Sequence, residues 1–161
     1  MANIEIRQAT KSDQPAIANL IGGVYAEYGD KLCLDDAERD LTEMPDYYHD
    51  RDGDFVVLSD GDEVIGCHAT LPVQGKPETC TFRRLYLNQN RRGTGCGKLL
   101  MQWAVDWAKH RGFKRIEFWS DSRFTQAHGF FKSFGFHDTG DIRNMDDSFE
   151  PYSEYFFYMN L

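Results

Sequence analysis

The order of local signals predicts an α/β (α+β) fold: a mixed, mostly antiparallel sheet of six or seven strands flanked by about four helices. Three observations carry this expectation. Strand-like and helix-like runs follow one another as β, α, α, β, β, β, α, β, α, β, β. The three central strand-like runs are joined by short turns, which favours antiparallel neighbours. Only residues 79–120 read as strand, helix, strand, a unit that requires a parallel pair with a right-handed crossover.

Each element has its own warrant. Ile4, Ile6 and Gln8 share one face of a strand over 3–8. Thr10, Ser12 and Asp13 supply helix-cap chemistry, and Pro15 fits a first helical turn. Ile17, Leu20, Ile21, Val24, Tyr25 and Tyr28 then recur at helical spacing up to Gly29. A weaker helix is expected over 35–44, stopped by Pro45. Phe55–Ser59 and Glu63–Leu71 flank Asp60-Gly61-Asp62, a strong hairpin turn. After Gly75-Lys76-Pro77 comes a strand over Thr79–Leu87. Here Cys80 and Phe82 are in phase, as are Leu85 and Leu87, but the two pairs are one residue out of step. The slip falls on Arg83-Arg84. It reads either as a β-bulge or as two exposed arginines on an ordinary strand. Residues 95–111 form the clearest helix, with an apolar stripe of Leu99, Leu100, Trp103, Ala104, Trp107 and Ala108 and a stop at Gly112. A strand over Lys114–Ser120, a helix over Phe124–Phe134 closed by Gly135, and strands near 136–142 and 154–160 complete the order.

Composition narrows the function classes. The 161 residues suit one domain, and no repeat or linker divides residues 1–161. No apolar run approaches the roughly 20 residues of a membrane span. Met1–Thr10 lacks the apolar block of a signal peptide, so the expected location is the cytoplasm. Cys33, Cys67, Cys80 and Cys96 form no C-x-x-C pair and read as reduced, mostly buried thiols; no metal site is expected. A net charge of −8 argues against a nucleic-acid binder. The charge is segregated, however. Residues 35–63 hold twelve Asp/Glu and two Arg, whereas residues 83–98 hold five Arg/Lys and no acid. That basic island overlaps the glycine cluster, so an anionic ligand is expected there.

The informative segment runs from Leu85-Tyr86-Leu87 through Asn88-Gln89-Asn90-Arg91-Arg92 to Gly93-Thr94-Gly95-Cys96-Gly97-Lys98 and the long helix. Glycines permit close approach of the backbone to a ligand, the helix start offers unpaired N–H donors, and Arg91, Arg92 and Lys98 add charge. These are the parts of a pyrophosphate cradle. A P-loop fails, because Leu99 follows Gly97-Lys98 and Arg92 stands where the first glycine belongs. A dinucleotide fingerprint fails on glycine spacing and on the single βαβ unit.

The segment resembles the GNAT superfamily of N-acetyltransferases. Arg92-Gly93-Thr94-Gly95-Cys96-Gly97 satisfies the family's [RQ]-x-x-G-x-[GA] signature, Leu85-Tyr86-Leu87 looks like its fourth strand, and Ala127 to Phe136 is similar to its Ala-x-x-x-Tyr-x-x-x-Gly-Phe motif. The resemblance implies a single GNAT domain over 1–161, bulged and splayed at the fourth strand, and no metal. It implies acetyl-CoA as cosubstrate, held at Leu85, Tyr86, Leu87, Arg91, Arg92, Gly93, Thr94, Gly95, Cys96, Gly97, Lys98, Phe124 and Phe131. A primary amine, of a small molecule or of a peptide or protein, would attack the thioester directly in a ternary complex. The backbone N–H of Leu87 would polarise the carbonyl.

One departure bears on mechanism. Where the family often has a proton-donating tyrosine, this chain has Phe131. Three readings stay open: water or another hydroxyl (Tyr86 or Tyr155) gives the proton, no acid is needed, or the protein is a CoA-binding regulatory or interaction module with weak turnover. Asp121, at the end of the fifth strand, is a candidate amine-binding or base residue. His68 and His128 could accept a proton but read first as structural or surface residues, Cys96 reads as packing, and Glu117 faces either the slot or solvent. The acidic segment reads as a solvated face or as the rim of an acceptor site lined by Tyr25, Tyr28, Tyr47, Tyr48 and His49. A rim would favour a cationic amine. A monomer or a homodimer fits, with Tyr155–Tyr158 either in the core or pairing with a second subunit.

Overall fold

A computed structural model describes residues 3–147 and 149–161; Met1 and Ala2, where the signal-peptide reading begins, lie outside them. The chain runs β1 (Ile4–Gln8), a 3-10 turn (Lys11–Asp13), α1 (Gln14–Ala26), α2 (Asp40–Glu43), α3 (Asp46–His49), β2 (Asp54–Asp60), β3 (Glu63–Pro72), β4 (Thr79–Leu87), a 3-10 turn (Gln89–Arg91), α4 (Cys96–His110), β5 (Arg115–Asp121), α5 (Thr125–Phe134), β6 (His137–Met145) and β7 (Tyr152–Asn160). The strands form one seven-stranded sheet in the order β1-β2-β3-β4-β5-β7-β6. All neighbours are antiparallel except β4 and β5, as the single βαβ signal predicts.

Period-two alternation divides the sheet's side chains between two faces. On one, Phe55, Val57, Cys67, Ala69 and Leu71 meet Ile17, Leu20 and Ile21 of α1 and Leu41 and Tyr48 of the short helices. On the other, Cys80, Phe82, Ile116 and Phe118 meet Met101, Ala104, Val105 and Ala108 of α4 and Phe131 of α5. Leu99 lies off the buried stripe of α4 and is half exposed. The start of α1 is tied down by Asp13, which accepts the Thr10 amide at 2.8 Å and a two-pronged contact from Arg7 at 2.8 and 2.9 Å.

One expectation needs correction. Residues 34–39 form turns, and only Asp40–Glu43 is helical before Pro45. Glu38 and Asp40 are both buried, yet positions two apart on a helix face different ways. The turns let Glu38 accept from the Cys33 amide at 2.6 Å while the Ala37 carbonyl accepts from Arg84 at 3.1 Å. For β7 the structure chooses between the two readings left open by the sequence. The strand is paired on both sides, to β5 and β6, so Tyr155–Tyr158 is interior strand and has no edge to offer a second subunit.

The phase slip in β4 is a bulge. Cys67 faces Tyr86 and Ala69 faces Arg83, so His68 alone on β3 opposes both Arg84 and Leu85. Arg84 takes φ +58°, a left-handed conformation that disfavours non-glycine residues. The extra residue returns Leu85 and Leu87 to the face already occupied by Phe82. It also turns Arg83 and Arg84 toward one carboxylate, Asp40. β4 and β5 pair only at Thr79–Arg115 and Cys80–Ile116, so the two strands have already parted when β4 reaches the bulge.

The bulge is held by a buried ion pair. Arg84 donates to Asp40 through Nη2 at 2.6 Å and Nε at 3.1 Å, Tyr48 donates to the same carboxylate at 2.5 Å, and Cys67 Sγ donates to the Arg84 carbonyl at 3.1 Å. Burial alone would raise the Asp40 pKa; the two arginines and Tyr48 outweigh it and hold the group below the usual carboxylate range. Asp40→Ala leaves Arg84 buried and uncompensated, and is expected to cost about 3–5 kcal/mol in urea unfolding at neutral pH. Because the folded-state pKa is depressed, the Asp40 contribution is complete above the unfolded value of about 3.9 and is lost as pH falls through the folded value. The variant's stability should therefore lack that part of the acid dependence.

Candidate active site

β4 leads through the Gln89–Arg91 turn into the glycine loop and then α4. Gly93 and Gly95 adopt φ +75° and +89°, and Gly95 is the cap that opens α4. Both conformations exclude ordinary side chains and turn successive amides toward one side. Among the described residues no side chain caps α4. Its first-turn N–H groups therefore remain donors, with the positive end of the helix dipole behind them. A backbone-lined anion cradle fits a pyrophosphate.

The loop faces a cavity of 460 Å³ lined by Leu85, Tyr86, Leu87, Arg92, Gly93, Gly95, Gly97, Lys98, Phe124 and Phe131, all expected at such a site, together with Val24, Tyr28, Gln126, Ala127 and Phe130. Three expected residues are absent from this wall. Arg91 turns away to Asp60 at 2.8 Å and Glu63 at 3.7 Å, tying the loop to the β2–β3 hairpin. The Thr94 hydroxyl bonds the Arg91 carbonyl. Cys96 is buried against Val56, Leu58 and Ile65. Arg92 is partly neutralised by Glu27, at 2.6 and 2.9 Å.

A second cavity of 280 Å³ lies against the first, and the two share Leu85, Tyr86, Phe124, Ala127 and Phe131. These residues mark where the β4–β5 gap joins them. Backbone donors also face the gap. Asn88 N donates to Ile65 of β3 at 2.8 Å. Alternate amides point to opposite sides of a strand, so the N–H groups of Leu85 and Leu87 are directed toward the vacated β5 side.

The second cavity is polar on its α1 side. Tyr25 Oη donates to Glu38 at 3.0 Å, and Tyr86 Oη lies 3.3 Å from Tyr25 Oη. With the Tyr25 proton committed to Glu38, Tyr86 donates to Tyr25. Burial raises the Glu38 pKa against the opposing Cys33 amide and Arg84 charge, and it raises both tyrosines, keeping the phenols protonated. Asp121 lines this cavity, but Arg123 holds its carboxylate at 2.6 and 3.0 Å and reaches Asp30 at 2.8 Å. His68 also lines it. This ring is fully buried, its Nδ1 sits 3.2 Å from the Leu100 carbonyl, and burial pushes its pKa down to about 4. His128 contacts Ser120 at 3.2 Å. Glu117 is buried, pairs with the partly exposed Lys76 and Arg115, and borders neither cavity.

The acidic rim is mostly not a rim. Of the acids in residues 35–63, only Glu38 lines either cavity. Asp40 is buried with Arg84, Asp54 binds Trp107 and Arg111, and Asp60 binds Arg91. Tyr25 and Tyr28 line cavities as expected, whereas Tyr48 is core, Tyr47 stacks under Arg51, and His49 meets Asp54 at 3.5 Å. Tyr155 packs among aromatic residues outside both walls. Sequence reasoning missed Glu38, Arg123 and the destination of the arginine doublet. The phase slip was the one local sign that Arg83 and Arg84 share a side.

Comparisons with known proteins agree with this architecture. Residues 22–136 match the family model described as "Acetyltransferase (GNAT) family". The chain is 30% identical over 136 residues to the Escherichia coli K12 protein named "Uncharacterized N-acetyltransferase YjgM", covering 81% of this chain and 80% of that one. It is 31% identical over 86 residues to "Probable N-acetyltransferase 14" of Xenopus tropicalis, covering 53% of this chain and 41% of the frog protein, so it spans less than half of that relative's length. In fold it is similar to the crystal structure of an acetyltransferase from Streptococcus agalactiae, with a TM-score of 0.83 at 20% identity over 98% of both chains. The parallel β4–β5 pair that opens into two joined cavities, the glycine loop at the start of α4 and a family match across most of the sequence lead to one assignment: the chain belongs to the GNAT family of N-acetyltransferases.

Proposed function

We propose that the protein transfers an acetyl group from acetyl-CoA to a primary amine, with both substrates bound together. The observation that carries this reading is the meeting of two cavities at Leu85, Tyr86, Phe124, Ala127 and Phe131, one walled by the glycine loop and the other by polar groups. Acetyl-CoA supplies an activated acetyl thioester. The amides of the Gly93–Lys98 loop would hold its pyrophosphate, and the free edge of β4 at Leu85–Leu87 would pair with its amide-bearing arm. The Leu87 N–H, directed into the gap, would polarise the carbonyl under attack.

Proton movements fall to the hydroxyl chain. Glu38, whose pKa burial raises, would take the proton released by the attacking amine by way of Tyr25. Tyr86, kept protonated by burial, would turn its proton from Tyr25 to the departing sulfur, and Glu38 would then return the proton it took, through Tyr25, to Tyr86. One proton enters the chain and one leaves. Asp121 is less suited to act as base, because Arg123 already holds it. Phe131 is packed against Phe118 and Phe157, with ring centroids 4.9 and 5.4 Å away, which supports a packing role at this point of the slot.

Gly97→Asp tests the cradle. A carboxylate in the first turn of α4 suits the helix dipole but repels a diphosphate. Thermal unfolding of the apo variant should be unchanged or slightly raised, while the melting shift produced by acetyl-CoA should fall as for a 10–100-fold weaker ligand. A full shift would remove the loop from the site.

A second pair of variants tests the proton path, read by thiol release. Tyr86→Phe should lower kcat about 100-fold with the KM for acetyl-CoA little changed. Phe131→Tyr should change kcat less than about 3-fold, because the proton already has a source. A large gain in Phe131→Tyr would favour instead a CoA-binding module that has lost its acid.

A further inference from the structure

We propose that Arg83 binds a carboxylate of the acceptor, so that the amine acetylated by this protein is an amino acid or a similar amine bearing a nearby carboxylate. The inference rests on the acetyl-transfer reading above and names its substrate class.

Four arginines line the smaller cavity: Arg83, Arg84, Arg123 and Arg143. Three are neutralised within the protein. Arg84 takes both oxygens of Asp40, Arg123 binds Asp30 and Asp121, and Arg143 binds Glu154 at 2.6 Å. Arg83 is the exception. The bulge turns it toward the same carboxylate as Arg84, but that carboxylate is already filled by Arg84 and Tyr48. Arg83 Nη2 is left 3.9 Å from Asp40, beyond hydrogen-bond distance, and among the described residues it makes no hydrogen bond. Its side chain keeps 35% of its exposure. A guanidinium cannot shed its charge by losing a proton, and its planar fork matches a carboxylate.

The same wall carries the complementary charge. Among the described residues, Glu38 and Asp147 are the lining carboxylates that no lysine or arginine pairs. One uncompensated cation with uncompensated carboxylates in one cavity is the pattern that receives an ammonium and a carboxylate on the same small molecule. It does not suit a polycation, which would meet Arg83.

The test uses the standard α-amino acids and their primary amides as acceptors with acetyl-CoA, read by thiol release, in the wild type, Arg83→Gln and Arg83→Lys. The expected result is a 10–100-fold preference in kcat/KM for the acid over its amide in the wild type, the loss of one charge-assisted, two-pronged contact. Arg83→Gln should bring that ratio to about one, and Arg83→Lys should retain part of it. Equal use of amides and acids by the wild type, turnover of carboxylate-free amines only, or an undiminished ratio in Arg83→Gln would overturn the proposal. If neither series is acetylated, the acetyl-transfer reading fails for these acceptors, and melting shifts decide on Arg83 separately. Stabilisation by acids but not amides, lost in Arg83→Gln, would uphold carboxylate binding, and no stabilisation by acids would overturn it.

Discussion

The buried pair between Arg84 and Asp40 is the constraint on which the rest of the structure depends. A strand gains nothing from an extra residue in a left-handed conformation unless something else rewards it. Here the reward is a two-pronged ion pair, supported by Tyr48 and by the Cys67 thiol. The pair joins the loop between α1 and β2 to the centre of the sheet. β4 parts from β5 after two paired residues, and with its extra residue pinned there the strand does not come back into register with β5.

Both cavities are arranged around that parting. The gap leaves backbone donors of β4 without a partner strand, a feature that a closed sheet would not tolerate. It joins a cavity walled by glycines and a helix start to a cavity walled by phenols, carboxylates and arginines. The two walls suit different ligands. The glycine loop presents fixed dipoles with little side-chain bulk, which suits a diffuse, doubly charged anion. On the opposite wall most charged side chains are paired with an opposite charge, so the few that are not stand out. Glu38 and Arg83 are such groups, and both owe their positions to the segment that contacts the bulge.

Much of this was legible in the sequence, and the reasons differ by element. The hairpin at Asp60-Gly61-Asp62, the capping at Thr10 and Asp13 and the stops at Gly112 and Gly135 rest on interactions within a few residues, and each is found where local chemistry puts it. The bulge was legible because side-chain alternation has an exact period, so a slip of one residue leaves a mark. The helix expected over 35–44 failed because Glu38 and Asp40 are drawn inward by Tyr25, Cys33 and Arg84, partners that helical periodicity does not register. Arg91 counted as part of a basic island by sequence proximity, yet its charge is spent on Asp60 of the hairpin.

By itself, then, the sequence determined the element order, the mixed sheet, the glycine cradle and the irregular fourth strand, because all of these follow from spacing along the chain. Tertiary structure alone decided which charges remain available. Whether an arginine or a carboxylate is free depends on partners brought together by folding: Asp40, 44 residues away from Arg84 in the chain, takes Arg84 and leaves Arg83. Spacing records where a charged group sits in the chain, whereas its neutralisation is set by distance in space.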